Sequence, residues 1–267
     1  MNEPEKLIGS GGTANVYEWT NNEVIKIYKP HVSMDMIRSE ENIGKLLNNT
    51  KLCIPKYIKT VELNGNLAIV YERAEGRPLV EALMDSTDQS SISAKFAKLH
   101  YEIHQYTIER LPAQNSMYQW RISRMRNKLG KAFIKVQDLN NSLPLKNKLC
   151  HGDFHPLNIL VHNNEYQVID WNDCCSGNPL LDIAWTYLLL NSPSLEAMFG
   201  QTMAKATKEF SDEYLQFYSQ YANMSKNDVF MYLPLAATRR LDDNLSSETD
   251  HSKYENSWLK DIILSLR

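Results

Sequence analysis

Apolar residues recur at every second position in short runs near the N-terminus, each closed by turn-forming residues, a pattern that predicts β-strands. Leu7-Ile8 opens the first run, Gly9-Ser10-Gly11-Gly12-Thr13 makes a turn, and Asn15-Val16-Tyr17-Glu18-Trp19 continues as a second strand. Beyond Asn21-Asn22, the run Glu23-Val24-Ile25-Lys26-Ile27-Tyr28 sets Lys26 on the face opposite Ile25 and Ile27. Tyr57 to Leu63 and Asn66 to Glu72 predict two further strands around Asn64-Gly65, a strong hairpin signal. Between these runs the period becomes helical. Ser33 is placed to cap a helix through about Leu47, with Ile37, Glu40, Gly44 and Leu47 on its inward stripe.

The last of these strands leaves through Glu72-Arg73-Ala74-Glu75-Gly76, and Gly76 with Pro78 punctuates the passage to a mainly helical remainder. Within that remainder, Leu149-Cys150, Asn158-Ile159-Leu160-Val161 and Tyr166-Gln167-Val168-Ile169 read as short strands, the last two joined by the turn pair Asn163-Asn164. The predicted class is α+β: a small sheet-bearing N-terminal lobe with one helix over 1–75, a hinge at about 72–76, and a larger helical lobe over 76–267. The helical lobe would carry a catalytic loop at 149–171.

Composition narrows the class. With 267 residues and 43% hydrophobic residues the chain can bury one or two substantial cores. The apolar stretch near Leu180 is interrupted by Asp182 and too short to span a bilayer, and Met1 to Lys6 lacks the pattern of a leader, so a cytoplasmic protein is expected. A net charge of -3 argues against nucleic acid as a partner. Cys53, Cys150, Cys174 and Cys175 lack metal-like spacing and are expected to be reduced, the first two as small core residues and the last two along the site. His100 and His104 stand four apart on a helix, but Glu102 is misplaced for a His-Glu-x-x-His motif and no third ligand is evident, so they read as a packed pair.

The chemistry concentrates in His151-Gly152-Asp153-Phe154-His155-Pro156-Leu157-Asn158, followed by a strand ending at Asp170-Trp171. An Asp beside an incoming hydroxyl can accept its proton, while an amide oxygen and a carboxylate suit magnesium, which takes oxygen ligands. His-Gly-Asp alone is a weak signal. Asn158, five residues after Asp153, and the strand running into Asp170 make it specific for phosphoryl transfer from a magnesium-bound nucleotide. At the N-terminus, the missing side chains of Gly9, Gly11 and Gly12, with Ser10 and Thr13 between and after them, let backbone N–H groups approach phosphates as a flap. A dinucleotide-binding turn is ruled out, because Asn15 to Trp19 reads as strand where that motif needs a helix. Lys26 could then reach the phosphates, with Glu40 rather than Glu41 as its carboxylate partner, and the strand exit at Glu72, Arg73 and Ala74 would act as an edge offering backbone groups to adenine.

These residues resemble the aminoglycoside phosphotransferase and choline kinase-like family of the protein kinase-like fold. The likeness rests on His151-Gly152-Asp153 with Asn158, on Ile169-Asp170-Trp171, and on Gly177-Asn178-Pro179-Leu180-Leu181-Asp182-Ile183-Ala184-Trp185, and it covers nearly the whole length. It implies that Asp153 is the catalytic base, that Asn158 and Asp170 ligate magnesium, and that Lys26 pairs with phosphates and Glu40. Val16 would line the nucleotide flap, and Asp182 would hold the catalytic loop through backbone hydrogen bonds. Two departures stand out: Ala14 where a third flap glycine is usual, and His155 where protein kinases carry a lysine. The implied activity is transfer of the γ-phosphoryl group of ATP, or GTP in its place, to a hydroxyl of a small molecule by a monomer or homodimer. A cationic acceptor such as an aminoglycoside is favoured by the acidic run Asp242 to Asp250 and by Asp173, with Tyr118, Trp120, Trp171 and Trp185 as stacking candidates. The alternatives are a metabolite kinase of the choline, homoserine or sugar type, and a catalytically silent nucleotide-binding relative.

Overall fold

The computed structural model describes residues 4, 6–63, 65–85, 88–247 and 252–266. Asn64 of the Asn64-Gly65 turn, the N-terminal residues 1–3 and 5, and Glu248 to Asp250 of the acidic run lie outside the described residues. Two compact units are formed, Met1–Asp85 with Pro156–Asp173, and Ser86–His155 with Cys174–Arg267.

The chain begins with strands β1 (Leu7–Ser10), β2 (Ala14–Thr20) and β3 (Glu23–Tyr28), then helix α1 (Met34–Leu47) and strands β4 (Tyr57–Leu63) and β5 (Asn66–Glu72). They make one antiparallel sheet in the order β1-β2-β3-β5-β4. Ile25, Ala68 and Val70 are buried on one face against Tyr17, Trp19, Ile27, Val61 and Leu63, which removes enough apolar surface to fix the register of β3 on β5. Ser33 caps α1 by accepting from the Met36 N–H, and the buried positions of the helix are Ile37, Glu40, Ile43, Gly44 and Leu47. Gly44 is required by packing: a Cβ there would stand 2.9 Å from the Cβ of Tyr57.

After β6 (Arg77–Pro78) and α2 (Leu79–Asp85), the second unit takes α3 (Gln89–Ile103), α4 (Gln114–Arg124), α5 (Arg126–Leu129), α6 (Phe133–Ser142) and β7 (Lys148–Cys150). The first unit then receives β8 (Ile159–His162) and β9 (Glu165–Val168), which pair across Asn163-Asn164. Both turn residues adopt positive φ, the conformation a two-residue hairpin of matching twist requires. Asn158 ends a short 3₁₀ turn over Pro156–Asn158 instead of opening the strand. Gly76, at φ +117°, lies where any Cβ would strike the Val161 backbone, so it sets the approach of β6 to β8.

The second unit resumes with β10 (Cys175–Gly177), paired with β7, and helices α7 (Pro179–Leu190), α8 (Ser194–Phe199), α9 (Gln201–Ala222), α10 (Lys226–Phe230), α11 (Leu233–Ser247) and α12 (Ser252–Leu264). Asn178 caps α7 and Pro179 occupies its first turn, where a missing N–H costs nothing. Helices α3 and α9 pack together through Phe96, which contacts Phe210 and Tyr214 at centroid distances of 5.1 and 5.0 Å. Among the described residues no helix is long and apolar enough to cross a membrane.

Two expectations change. Strand β5 is internal, lying between β3 and β4, so it offers no free edge. Cys53 is exposed, whereas Cys174 and Cys175 are buried with Cys150.

Candidate active site

In the first unit the alternation of β3 brings Lys26 between Val16 on β2 and Ile69 on β5, on the side where α1 presents Glu40. The Lys26 ammonium donates to Glu40 Oε1 at 2.9 Å, to Asp170 Oδ1 at 3.1 Å and to Asn172 Oδ1 at 3.1 Å. These three acceptors match the three protons of an ammonium. Burial opposes its charge, but the Glu40 and Asp170 carboxylates outweigh that and raise the Lys26 pKa. Glu40 is itself held by the hydroxyls of Tyr28, at 2.6 Å, and Tyr71, at 2.9 Å. Glu41 faces away, paired with Lys45 at 2.5 Å. Removing one partner of a buried ion pair of this kind costs about 3–5 kcal/mol, because the other charge is left uncompensated.

Asp170 has φ 61°, an uncommon backbone state for a residue with a side chain, and it stands just beyond β9 with its side chain 43% exposed. The amide of Asn172 donates to its Oδ1 at 2.6 Å. Asn158 is buried and its carbonyl accepts the Ile169 N–H at 2.9 Å, which ties the end of the 3₁₀ turn to the end of β9. A carboxylate and an amide oxygen are the hard donors that magnesium takes, so the residue types fit that ion.

The glycine turn between β1 and β2 is closed by Gly11 N–H to Ala14 O at 2.9 Å and by Lys29 Nζ to Gly11 O, and Ser10 donates to Asn15 Oδ1 at 2.8 Å. Lys29 N–H bonds Thr13 O at 2.8 Å. None of Gly9, Gly11 and Gly12 takes a positive φ. A Cβ at Gly12 would meet nothing within 4 Å, and at Gly9 or Gly11 nothing nearer than 3.7 Å. The fold therefore does not need glycine at these places. Bare backbone here suits close approach by a phosphate. At the far end of β5, the N–H groups of Glu72 and Arg73 bond Lys56 O and Asn22 O, both at 2.9 Å, so these two donors are committed within the sheet. The Arg73 side chain reaches Glu18 at 3.3 Å and Glu75 at 3.6 Å, and Ala74 follows in the irregular stretch beyond β5.

In the second unit Asp153 lies on the loop after β7, five residues before Asn158 along the chain. Its Oδ1 accepts from Trp185 Nε1 at 3.0 Å, and its Oδ2 is 3.3 Å from His155 Nε2. Burial works against the charge of Asp153, yet the His155 ring, the Arg239 guanidinium and the Trp185 N–H together hold its carboxyl well below the ordinary range. Arg239 is buried with its guanidinium 3.8 Å from the Trp185 ring centroid, and it donates to Gly152 O at 2.6 Å. Trp185 and Arg239 thus clamp the loop from α7 and α11.

Asp182, one turn earlier on α7, fastens the same loop from below. Its Oδ2 accepts the His151 N–H at 2.8 Å and its Oδ1 the Gly152 N–H at 2.9 Å, with Gly152 at φ 82°. His100 and His104 each place Nε2 at 3.1 Å from Asp182 Oδ2, and their Nδ1 atoms meet the hydroxyls of Tyr214 at 2.8 Å and Tyr218 at 2.6 Å. Burial, with His104 beside it, pushes His100 down to about 3, so its ring is neutral and its hydrogen-bond roles follow: Tyr214 donates to Nδ1 and Nε2 donates to Asp182. Burial disfavours the Asp182 charge, but the two histidines hold its carboxyl well below normal. A carboxylate is thus the third group beside the histidine pair, within 4.8 Å of both. Every one of these atoms already has a hydrogen-bond partner, which makes the cluster a loop brace rather than a ligand set.

The aromatic candidates separate. Trp171 is buried and donates to Val168 O at 3.1 Å, Tyr118 is core, and Trp120 is 57% exposed with Arg124 at 4.5 Å over its ring. Trp185 was expected only as a stacking candidate, not as a donor to Asp153, and Arg239, Asn172, Tyr28 and Tyr71 were not legible as site residues. Arg239 meets Gly152 from 87 positions away, and no motif spacing marks the others.

Residues 5–224 match the phosphotransferase enzyme family. The chain belongs to that family. Among solved structures, the chain resembles amicoumacin kinase hAmiN in complex with AMP-PNP, Ca2+ and Ami, at 18% identity over 98% of this chain and 88% of that one, with a TM-score of 0.68. It also resembles the ADP-bound aminoglycoside phosphotransferase APH(2'')-Ib (16%, 96% and 92%, TM-score 0.64) and choline kinase from Cryptosporidium parvum Iowa II (14%, 97% and 87%, TM-score 0.64). At these identities the likeness is one of fold, the protein kinase-like α+β architecture. No curated protein matches the sequence significantly.

Proposed function

We propose that this phosphotransferase moves the γ-phosphoryl group of ATP to a hydroxyl of a small molecule, with magnesium. The observation that carries the reading is the Lys26 ammonium bound jointly to Glu40 and Asp170. A lysine held between a helix carboxylate and a second carboxylate at the end of a hairpin is arranged to meet phosphates and a metal at once. Asn158 and Asp170 would hold the ion, which when bound neutralises charge developing on the transferred group.

Lys26 trades its Asn172 contact for phosphate oxygen when the nucleotide binds, while Glu40, fixed by Tyr28 and Tyr71, keeps the ammonium in place. The turn from Gly9 to Thr13 lends backbone N–H groups to the phosphates. Adenine is met by the stretch from Glu72 to Ala74, and because the Glu72 and Arg73 N–H groups are committed, the recognition falls to their carbonyls and to Ala74. Asp153, ionised and oriented by Trp185 and His155, accepts the hydroxyl proton of the acceptor. Its depressed pKa makes it a weak base, which suits a loose transition state in which positioning outweighs proton removal.

The reading is tested by ADP release in the presence of a panel of hydroxyl compounds. Acceptor-dependent ADP formation that requires magnesium is expected; nucleotide binding without turnover for every compound, and no residual hydrolysis, would favour a silent nucleotide-binding protein instead.

A further inference from the structure

The acceptor hydroxyl must come within hydrogen-bonding reach of Asp153, so the remainder of the acceptor lies over the side chains that continue outward from that carboxylate. In the second unit these form a connected strip. Trp185 touches Asp153, and Arg239 stacks on Trp185. Arg239 Nε is 3.9 Å from Asp243, and Arg121 on α4 bonds Asp243 and also Asp242, the latter at 3.3 Å. Arg124 reaches Asp242 at 3.5 Å and covers Trp120. One helix, α11, supplies the acids and one arginine; the other, α4, supplies two arginines.

Recognition of a polyamine requires carboxylates whose charge is uncompensated and reachable. Here Asp242 is 5% exposed at its side chain and is held by two guanidiniums, Arg121 at 3.3 Å and Arg124 at 3.5 Å. Asp243 is 34% exposed but is shared by Arg121 and Arg239. The next buried carboxylate on this side of the unit, Glu255, is taken by Arg240 at 2.9 Å and Asn244 at 2.8 Å. With Asp153 at its head, the strip holds three carboxylates against three guanidiniums, so it offers an incoming ammonium no surplus of negative charge. The arginines occupy the places an amine would fill.

We infer that the acceptor is a hydroxyl compound that is not a polycation and that polyamines are excluded from the acceptor site. This rests on the phosphotransferase reading, in which Asp153 orients the hydroxyl. It runs counter to the expectation that the acidic run receives a cationic acceptor, for the described part of that run, Asp242 to Ser247. That run looks acidic in one dimension because the compensating arginines, Arg121 and Arg124, stand about 120 positions earlier.

The test is calorimetric titration of the wild-type protein, saturated with AMP-PNP and magnesium, with neomycin and with spermidine. No saturable binding up to about 1 mM is expected at low salt, where electrostatic attraction is greatest. Binding of either polyamine at micromolar concentration would overturn the inference. An R121M/R124M double variant, whose fold is checked by circular dichroism, strips both guanidiniums from Asp242 and leaves Asp243 with Arg239 alone, and is expected to bind neomycin at least tenfold more tightly than wild type. A folded double variant that gains nothing would overturn the role given to the arginines. AMP-PNP binding, measured first on the same sample, reports separately on the phosphotransferase reading: its absence would refute that reading and leave the polyamine result standing on its own.

Discussion

Acidification should destabilise the protein through one buried ring. His100 is fully buried, with Tyr214 on one nitrogen and Asp182 on the other, and burial together with His104 pushes it from 6.5 to about 3. A folded-state pKa below the unfolded value means the unfolded chain binds the extra proton first. The contribution of neutral His100 is therefore fully present above about pH 6.5 and is lost as the pH falls toward 3. Each pH unit below 6.5 costs about 1.4 kcal/mol, or about 2 kcal/mol by pH 5, a large part of the 5–15 kcal/mol typical of a folded domain. Asp153 and Asp182 do not interfere, because their depressed values place their own losses below the ordinary carboxyl value of 3.8. His100→Gln keeps a neutral group able to accept from Tyr214 and donate to Asp182. Urea unfolding of both proteins at pH 7 and pH 5 should show wild type losing about 2 kcal/mol more than the variant. Parallel losses would refute the assignment of a neutral, unprotonatable ring at the base of the catalytic loop.

Other consequences follow from the same contacts. Asp153→Asn should lower kcat by on the order of a hundredfold or more and leave AMP-PNP affinity intact, read by steady-state kinetics and calorimetry; an unchanged kcat would require another base. Gly12→Ala should leave the melting temperature unaltered, since a Cβ there meets nothing, yet raise the KM for ATP; Gly44→Ala should lower the melting temperature, since its Cβ would press on Tyr57. A Gly12→Ala protein with wild-type KM would remove the glycine turn from the nucleotide site. Glu40→Gln should cost stability of about 3–5 kcal/mol by leaving Lys26 partly uncompensated, and a loss under 1 kcal/mol by chemical unfolding would show that Asp170 and Asn172 suffice.

The parts of this molecule legible in its sequence are those set by near neighbours. Asn163-Asn164 marks a hairpin because both residues must tolerate positive φ, Ser33 marks a helix start because its hydroxyl answers an N–H three residues on, and the stripe containing Glu40 follows from the helical period. The choice of Glu40 over Glu41 as the inward carboxylate follows from that period too. What could not be read depends on how distant helices pack. His100 and His104 gave no hint of Asp182, because α3 and α7 meet only in the folded unit, and the acidic residues of α11 could not disclose that α4 brings arginines to them. The internal position of β5 was hidden for the same reason: pairing order in a sheet is not a property of any one strand.

The central claim is that this chain transfers a phosphoryl group to a hydroxyl using Asp153. Incubation of the wild-type protein with ATP labelled at the γ-phosphate, magnesium and a low-molecular-mass metabolite extract, resolved by chromatography, tests it most directly. A labelled organic phosphate should form with wild type and be absent with Asp153→Asn or after chelation of magnesium. Label that stays in ATP, or passes equally to inorganic phosphate with both proteins, would contradict it.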